Sequence, residues 1–395
     1  MAKTITKFRN WLADKRNFLF SRYTEDIRET QEPERSLIQL PAAVRHKLIE
    51  DVKNLPINPA DREAIATTLD EAYELWQNNP NNSDNSVVIL SSPVAAVSRI
   101  LTETLEEWAQ QKQIALKLLP LKARPGEIDG IKSELEHHLK PKDLAETEES
   151  RQSEIVVIPN LSWCFLRSLQ GLEGIEYIQS LLCQNVKHRF WIIGSGQVGW
   201  QYLNSVCSLE AYCGEVFQLP EIEPDKLQQW LEPIVQDFGL VFDEPRIDKK
   251  ILDGDKDNKT NYFDQLAEIS QGVSTVAVQG FLKSICCEEA DEEGQNKPED
   301  KDPVLVAQTP KLPQLPDLES NDQYILYSLL LHGDLTIAEL AQSLGDLESE
   351  VQARVQLLRR EGVVEQQDRV IKINPIHYPR VKQELAGNNF IIKRQ

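Results

Sequence analysis

Six cysteines in 395 residues (Cys164, Cys183, Cys207, Cys213, Cys286 and Cys287) show no C-x-x-C spacing. That removes zinc-ribbon and thioredoxin-type chemistry and leaves reduced, partly buried thiols of a cytoplasmic chain as the expectation. Adjacent Cys286 and Cys287 would need ligand-spaced partners to act as a redox or metal pair, and the sequence supplies none. Basic residues are scarce: 43 Lys and Arg stand against 63 Asp and Glu, a net charge of −20. A general nucleic-acid binder needs a basic surface, so that class is disfavoured. No run of 18 apolar residues exists, so no transmembrane helix is expected. The first residues lack the apolar core and cleavage site of a signal peptide, so export is not expected. H-E-x-x-H, a Ser-His-Asp arrangement and a Cys-His cluster are all missing. His137-His138 is a candidate metal pair, but adjacent helical residues point apart. No metal, no cofactor and no small-molecule substrate are expected.

What is present divides the chain into six parts. Residues 1–35 hold a basic amphipathic segment. In residues 1–22, Lys3, Lys7, Arg9, Lys15, Arg16 and Arg22 face only Asp14, while Phe8, Trp11 and other apolar residues fall near helical spacing. Such a helix lies on an anionic membrane or docks on an acidic body, its own included; Lys7, Phe8, Trp11, Lys15 and Arg16 are the candidate membrane contacts. Residues 36–85 read as two helices and a polar linker, with Asn58 as an N-cap before Pro59. Residues 86–240 form an α/β domain and residues 241–287 a helical lid broken at Gly272. Residues 288–320 are acidic and proline-containing and read as a disordered tether. Residues 321–395 read as three helices and a hairpin, a winged helix-turn-helix, with Thr336 or Asp334 as the cap of the second helix, Glu339 completing a capping box, and Gly362 ending the third helix.

Five short β-branched or aromatic runs alternate with helices in the α/β domain: 87–90, 114–119, 155–158, 190–193 and 216–219. Such runs indicate a parallel sheet covered on both faces. The first run enters Ser91-Ser92-Pro93-Val94-Ala95-Ala96-Val97-Ser98-Arg99, where a phosphate loop would read G-x-x-x-x-G-K-[ST]. That loop needs glycines so that its amides point inward, a lysine for the terminal phosphates and a hydroxyl for magnesium. Pro93 removes one amide. Ser98 is the hydroxyl in the later half of the segment and Arg99 its cation. The third run should end on an acid that holds the metal and orients water. It ends on Pro159-Asn160, neither of which is a base. Hydrolysis is therefore not expected.

With its five-strand order, Phe217-Gln218-Leu219-Pro220 followed by Pro224 and Leu227, and a helical lid around Gly272, the chain resembles the AAA/STAND-type branch of P-loop ATPases over about residues 85–285. It also resembles uncharacterised cyanobacterial proteins carrying I-P-N-L-x-W-x-F-L-R, here Ile158 to Arg167. The resemblance implies a five-stranded parallel P-loop-like sheet with helices on both faces, a lid and a C-terminal winged helix. The family's ATP-binding residues do not carry over, Ser98 excepted.

Three further constellations are candidates. Trp163 and Arg167 form a binding surface or pack the sheet edge. Gly194-Ser195-Gly196-Gln197-Val198-Gly199 spells GxGxxG after a strand, with Glu215 near the distance of a ribose-binding acid; a tight turn explains it equally. Arg354, Arg359 and Arg360 on the third winged-helix helix could reach DNA or a partner. Residues 321–395, however, carry nine basic against ten acidic side chains, too few for phosphate-driven affinity. The leading expectation is a non-hydrolysing ATPase-like scaffold that binds a protein partner. A DNA-binding regulator and a dinucleotide-binding enzyme are the alternatives.

Overall fold

A computed structural model describes residues 37–38, 40–80, 83–140, 153–184, 188–243, 257–288 and 304–390. The basic segment, with Lys7, Phe8, Trp11, Lys15 and Arg16, lies outside those residues. After a two-residue strand β1 (Leu37–Ile38), helices α1 (Ala42–Lys53) and α2 (Pro59–Asn78) follow. The Asn58 side-chain Oδ1 accepts from the Ala60 amide at 3.0 Å, the expected cap. Along α2, Ile65, Leu69, Tyr73 and Trp76 are buried at helical spacing.

The α/β domain comprises β2 (Ser86–Ser91), α3 (Val97–Lys112), β3 (Leu116–Leu118), α4 (Ile128–Leu139), β4 (Glu154–Ile158), α5 (Glu173–Leu182), β5 (Arg189–Gly196), α6 (Gln197–Cys207) and β6 (Glu215–Gln218). Its five strands are all parallel, in the order β3-β4-β5-β2-β6. The fourth strand is inserted between the first and the third, as expected of the P-loop ATPase fold. Period-two alternation divides the sheet cleanly. Val87, Ile89, Ile155, Val157, Phe190 and Ile192 join α2 and α3 in one cluster. Val88, Leu90, Val156, Ile158, Trp191 and Ile193 join the cluster on the opposite face. Both faces are covered, which is why the strands read as unbroken apolar runs.

Helix α7 (Pro224–Asp237) and strand β7 (Val241–Phe242) lead to the lid, α8 (Asn258–Ser270) and α9 (Ser274–Ser284). Gly272 lies between them at φ +67°, in the left-handed region that suits glycine. Strands β8 (Ile285–Glu288) and β9 (Leu305–Ala307) follow. Residues 304–320 are not the free tether that their prolines suggested. β9 pairs antiparallel with β8 and parallel with β7, and Leu305, Val306 and Ala307 are buried. The run Val304-Leu305-Val306-Ala307 is apolar enough to add a strand, a signal masked by the surrounding prolines. Cys286 sits in β8, its thiol donating to the Val306 carbonyl at 3.4 Å, and no group of three or more potential metal ligands occurs among the described residues.

The C-terminal module contains α10 (Ser320–His332), β10 (Leu335–Thr336), α11 (Ile337–Leu344), α12 (Glu348–Arg360), β11 (Val364–Gln367), β12 (Val370–Ile373) and α13 (Tyr378–Gly387). Three helices with the sheet β10-β12-β11 give the winged-helix arrangement. The Thr336–Glu339 capping box is formed, and Gly362 follows α12 at φ +73°. Helix α13 was not read from the sequence. The module is docked on the α/β domain: Leu326, Leu340 and Ile371 belong to the same buried cluster as Val88, Val156 and Trp191. No helix among the described residues is long and apolar enough to cross a membrane.

Candidate functional site

In open parallel sheets, ligands bind beyond the carboxyl ends of the strands. Here that edge is bounded by residues 91–99 after β2, residues 159–164 after β4, the start of α9 and the winged-helix module. The segment between β2 and α3 is short and closes on itself: the Ala95 amide donates to the Ser92 carbonyl and the Val97 amide to Ala95, both at 3.0 Å. Pro93 is buried, and Ala96 gives α3 no side-chain cap.

Arg99 faces away from any phosphate role. Its guanidinium donates to Glu103 at 2.7 Å, to the Leu55 carbonyl at 3.1 Å and to the Lys53 carbonyl at 3.4 Å. It thus holds the end of α1 against α3. Ser98 lies in the first turn of α3, where its carbonyl accepts from the Thr102 hydroxyl at 2.6 Å. Ser91 is buried at the strand end, its hydroxyl donating to the Ser92 carbonyl at 3.2 Å. At the exit of β4, the Asn160 side chain accepts from the Ser162 amide at 3.0 Å and caps a short 3-10 turn, residues 161–164. It performs a turn's work where a hydrolase would hold metal.

The space beside Ser91 and Ser92 is filled from above. A cavity of about 60 Å³ remains there, walled by both serines, Gln218, Gly272, Tyr378 and Lys382. That is room for about two waters, against the roughly 300–1,000 Å³ of sites that hold small molecules. Burial pushes the Tyr378 hydroxyl up to about 12, with the Ser92 hydroxyl opposing the shift. Burial also lowers Lys382, against the pull of Glu221. Both residues come from α13, the helix the sequence did not announce.

A second cavity of about 450 Å³ opens between the 52–58 segment, the 93–100 segment, Trp163, α9 and residues 332–334. Its charges do not suit a polyanion. Asp61, Asp334 and Glu365 line it; Lys372 is 3.8 Å from Glu365, and Arg99 is already engaged. Burial raises Asp61 to about 6 and raises Asp334 as well.

Trp163 and Arg167 do not form an exposed surface. Trp163 is buried. The Arg167 backbone amide donates to His332 Nε2 at 3.3 Å, and His332 is fully buried against Phe165. Burial first, then the charges of Arg124 and Arg167, hold His332 well below its usual range, so it is neutral. Because Nε2 accepts, the proton is assigned to Nδ1.

The GxGxxG stretch makes no turn. β5 runs through Gly196 and α6 starts at Gln197. A Cβ on Gly194 would strike the Pro159 carbonyl, and one on Gly199 would lie 2.5 Å from the Leu331 carbonyl of α10. These glycines permit close packing of the sheet and of the winged helix. Arg354, read as a DNA or partner contact, is ion-paired with Glu319 and lies 3.8 Å from Asp322. Arg359 donates to Gln366 at 3.0 Å, and Arg360 is exposed. His137 and His138 stack edge to face on α4.

The residue that organises this edge is one the sequence gave no reason to single out. Arg124, in the loop after β3, is almost fully buried. It donates to the Ser162 carbonyl at 2.7 Å, the Phe165 carbonyl at 2.8 Å, Glu339 Oε1 at 3.2 Å and the Asp334 carbonyl at 3.5 Å. Glu339 accepts from the Thr336 amide through Oε2 at 2.6 Å, so one carboxylate caps α11 and receives Arg124. Arg124 and Glu339 lie 215 positions apart in the chain. No local pattern joins them; only the capping box around Glu339 was visible.

No family model matches the chain, and no curated protein matches it in sequence. Several solved structures are similar to it in outline. Cdc6p from Pyrobaculum aerophilum is 13% identical over 86% of this chain and 98% of that one, with a TM-score of 0.39. The Aeropyrum pernix ORC1 protein in complex with DNA is 12% identical over 88% and 97%, at 0.33. A Thermotoga maritima RuvB mutant is 13% identical over 81% and 94%, also at 0.33. At these scores the P-loop ATPase fold of this chain is read from its own strand order.

Proposed function

We propose that the chain is a non-hydrolysing, ATPase-like scaffold or adaptor that acts by binding a protein partner. One observation carries this reading: the residues at the edge where a triphosphate would sit are committed to contacts within the chain, and the cavity of about 450 Å³ that residues 93–99 and Asn160 line holds three carboxylates. Arg99 holds α1, Asn160 caps a turn, and Tyr378 and Lys382 reduce the space beside Ser91 and Ser92 to about 60 Å³. The larger neighbouring cavity carries carboxylates rather than free cations. A sheet so covered offers rigid surface, not a reaction centre. Isothermal titration of the full chain with ATP and magnesium tests the reading. The expected result is no saturable heat, meaning a Kd weaker than about 1 mM. A micromolar Kd, or ATP turnover by the purified chain, overturns it.

A further inference from the structure

We propose that a cleft between the end of the lid helix α9 and the segment after β9 binds a single tetrahedral oxyanion, a phosphate or phosphomonoester group, through Lys283 and Lys311. The cleft measures about 210 Å³ and is lined by Lys283 and Ser284 at the end of α9, Thr309 and Lys311 after β9, and Asp243. At about 30 Å³ per water, that is room for one hydrated small ion and too little for a nucleotide. It lies apart from the strand-end cavities.

Its electrostatics run against the rest of the molecule. In a chain of net charge −20, Lys283 and Lys311 line the cleft without a salt-bridge partner among the described residues. Glu365 lies within electrostatic reach of Lys283, but Lys372 already neutralises it at 3.8 Å. Asp243 is the carboxylate on the wall. Buried His377 reports the local field. Burial, then the charges of Lys283 and Arg380, pull it down to about 4, so it adds no charge of its own. Unpaired cations beside a small polar cavity hold a compact anion by charge-assisted hydrogen bonds. Lys283 and Lys311 are the direct contacts.

The test uses the full chain near pH 7, titrated calorimetrically with sodium phosphate and, at matched ionic strength, with sodium chloride. Saturable phosphate binding in the sub-millimolar range is expected, at least about tenfold tighter than any chloride effect. The double variant Lys283→Gln with Lys311→Gln should weaken it by about tenfold or more, and Lys311→Gln alone by less. A control double, Lys47→Gln with Lys132→Gln, removes two exposed cations elsewhere and should leave binding unchanged. O-phosphoserine run in parallel separates the two sources: tighter binding than phosphate assigns a monoester, weaker binding the free ion. Phosphate acting no differently from chloride overturns the proposal. So does unchanged affinity in the Lys311→Gln single variant, whose exposed site does not threaten the fold. Because ATP plays no part in this titration, its failure is distinct from failure of the scaffold reading.

Discussion

Two neighbouring stretches at the carboxyl edge of the sheet have opposite chemistry. The segment after β2 is small, apolar and proline-bearing, and its cation, Arg99, turns outward to hold α1. The loop after β3 sends Arg124 inward, where it makes hydrogen bonds to three carbonyls and one carboxylate beneath the winged helix. In a nucleotide hydrolase the β2 exit would carry the dense polar network and the β3 exit would be incidental. Here the network has moved to the seam between domains. The edge therefore serves to fix the winged helix to the sheet, and the closed cavity beside Ser92 follows from that docking.

Breaking the Arg124 seam should produce the largest effect. Arg124→Met keeps an unbranched apolar stem but removes every donor, leaving Glu339 buried and three carbonyls without this partner. Loss of one partner of a buried ion pair costs about 3–5 kcal/mol. Chemical denaturation should show a loss in that range. Proteolysis should cut between the lid and α10 sooner than in the native chain. If Met at 124 is neutral, the seam is ordinary apolar packing, and the contrast with the β2 exit loses its meaning.

The same seam gives the second effect through pH. His377 is neutral in the fold at about 4, while in the unfolded chain it takes a proton near its ordinary 6.5. Its contribution is therefore fully present above about pH 6.5 and is lost as pH falls toward 4. His332, more strongly depressed by burial, acts in the same direction. Asp61, raised to about 6, acts oppositely, since its buried carboxyl gains stability as it protonates. Replacing His377 by Gln removes one titration, so the stability lost between pH 7 and 4.5 should shrink by about 2–3 kcal/mol relative to the native chain. Denaturant melts at both pH values decide it. Equal losses in the two proteins would show that His377 is solvated and that α13 does not hold tightly over the lid.

How much of this was legible in the sequence follows from what each feature depends on. The central strands β2, β4 and β5 were readable because both of their faces are buried, which makes each a nearly continuous apolar run. Asn58, Thr336, Glu339 and Gly362 were readable because caps are local. The departure of residues 91–99 and 159–160 from a phosphate-loop pattern was readable from Pro93 and Asn160 alone. The docking of the winged helix was not. Arg124 meets Glu339 across 215 positions, and the glycines of the GxGxxG stretch looked like a turn because their real cause, the Pro159 and Leu331 carbonyls, lies elsewhere in the chain. β9 was hidden by prolines around a short apolar run. Helix α13 lies beyond the three helices and hairpin read for the module; its Pro379 sits in the first turn, where a missing amide costs nothing.

The smallest effect is expected on the outward face of the winged helix, and it sharpens the contrast from the other side. If the module is committed to the sheet, α12 has no need to read DNA. Arg354 is held by Glu319, Arg359 by Gln366, and Glu348 and Glu350 flank the helix start. Duplex affinity comes chiefly from phosphate contacts and weakens steeply with salt. A gel shift with a mixed-sequence duplex at low salt should therefore show no complex for the native chain, and Arg359→Ala with Arg360→Ala should change nothing. A salt-sensitive complex that this double variant abolishes would make α12 a recognition helix. The docked seam would then be a means of presenting it, and the scaffold reading would give way to a DNA-binding one.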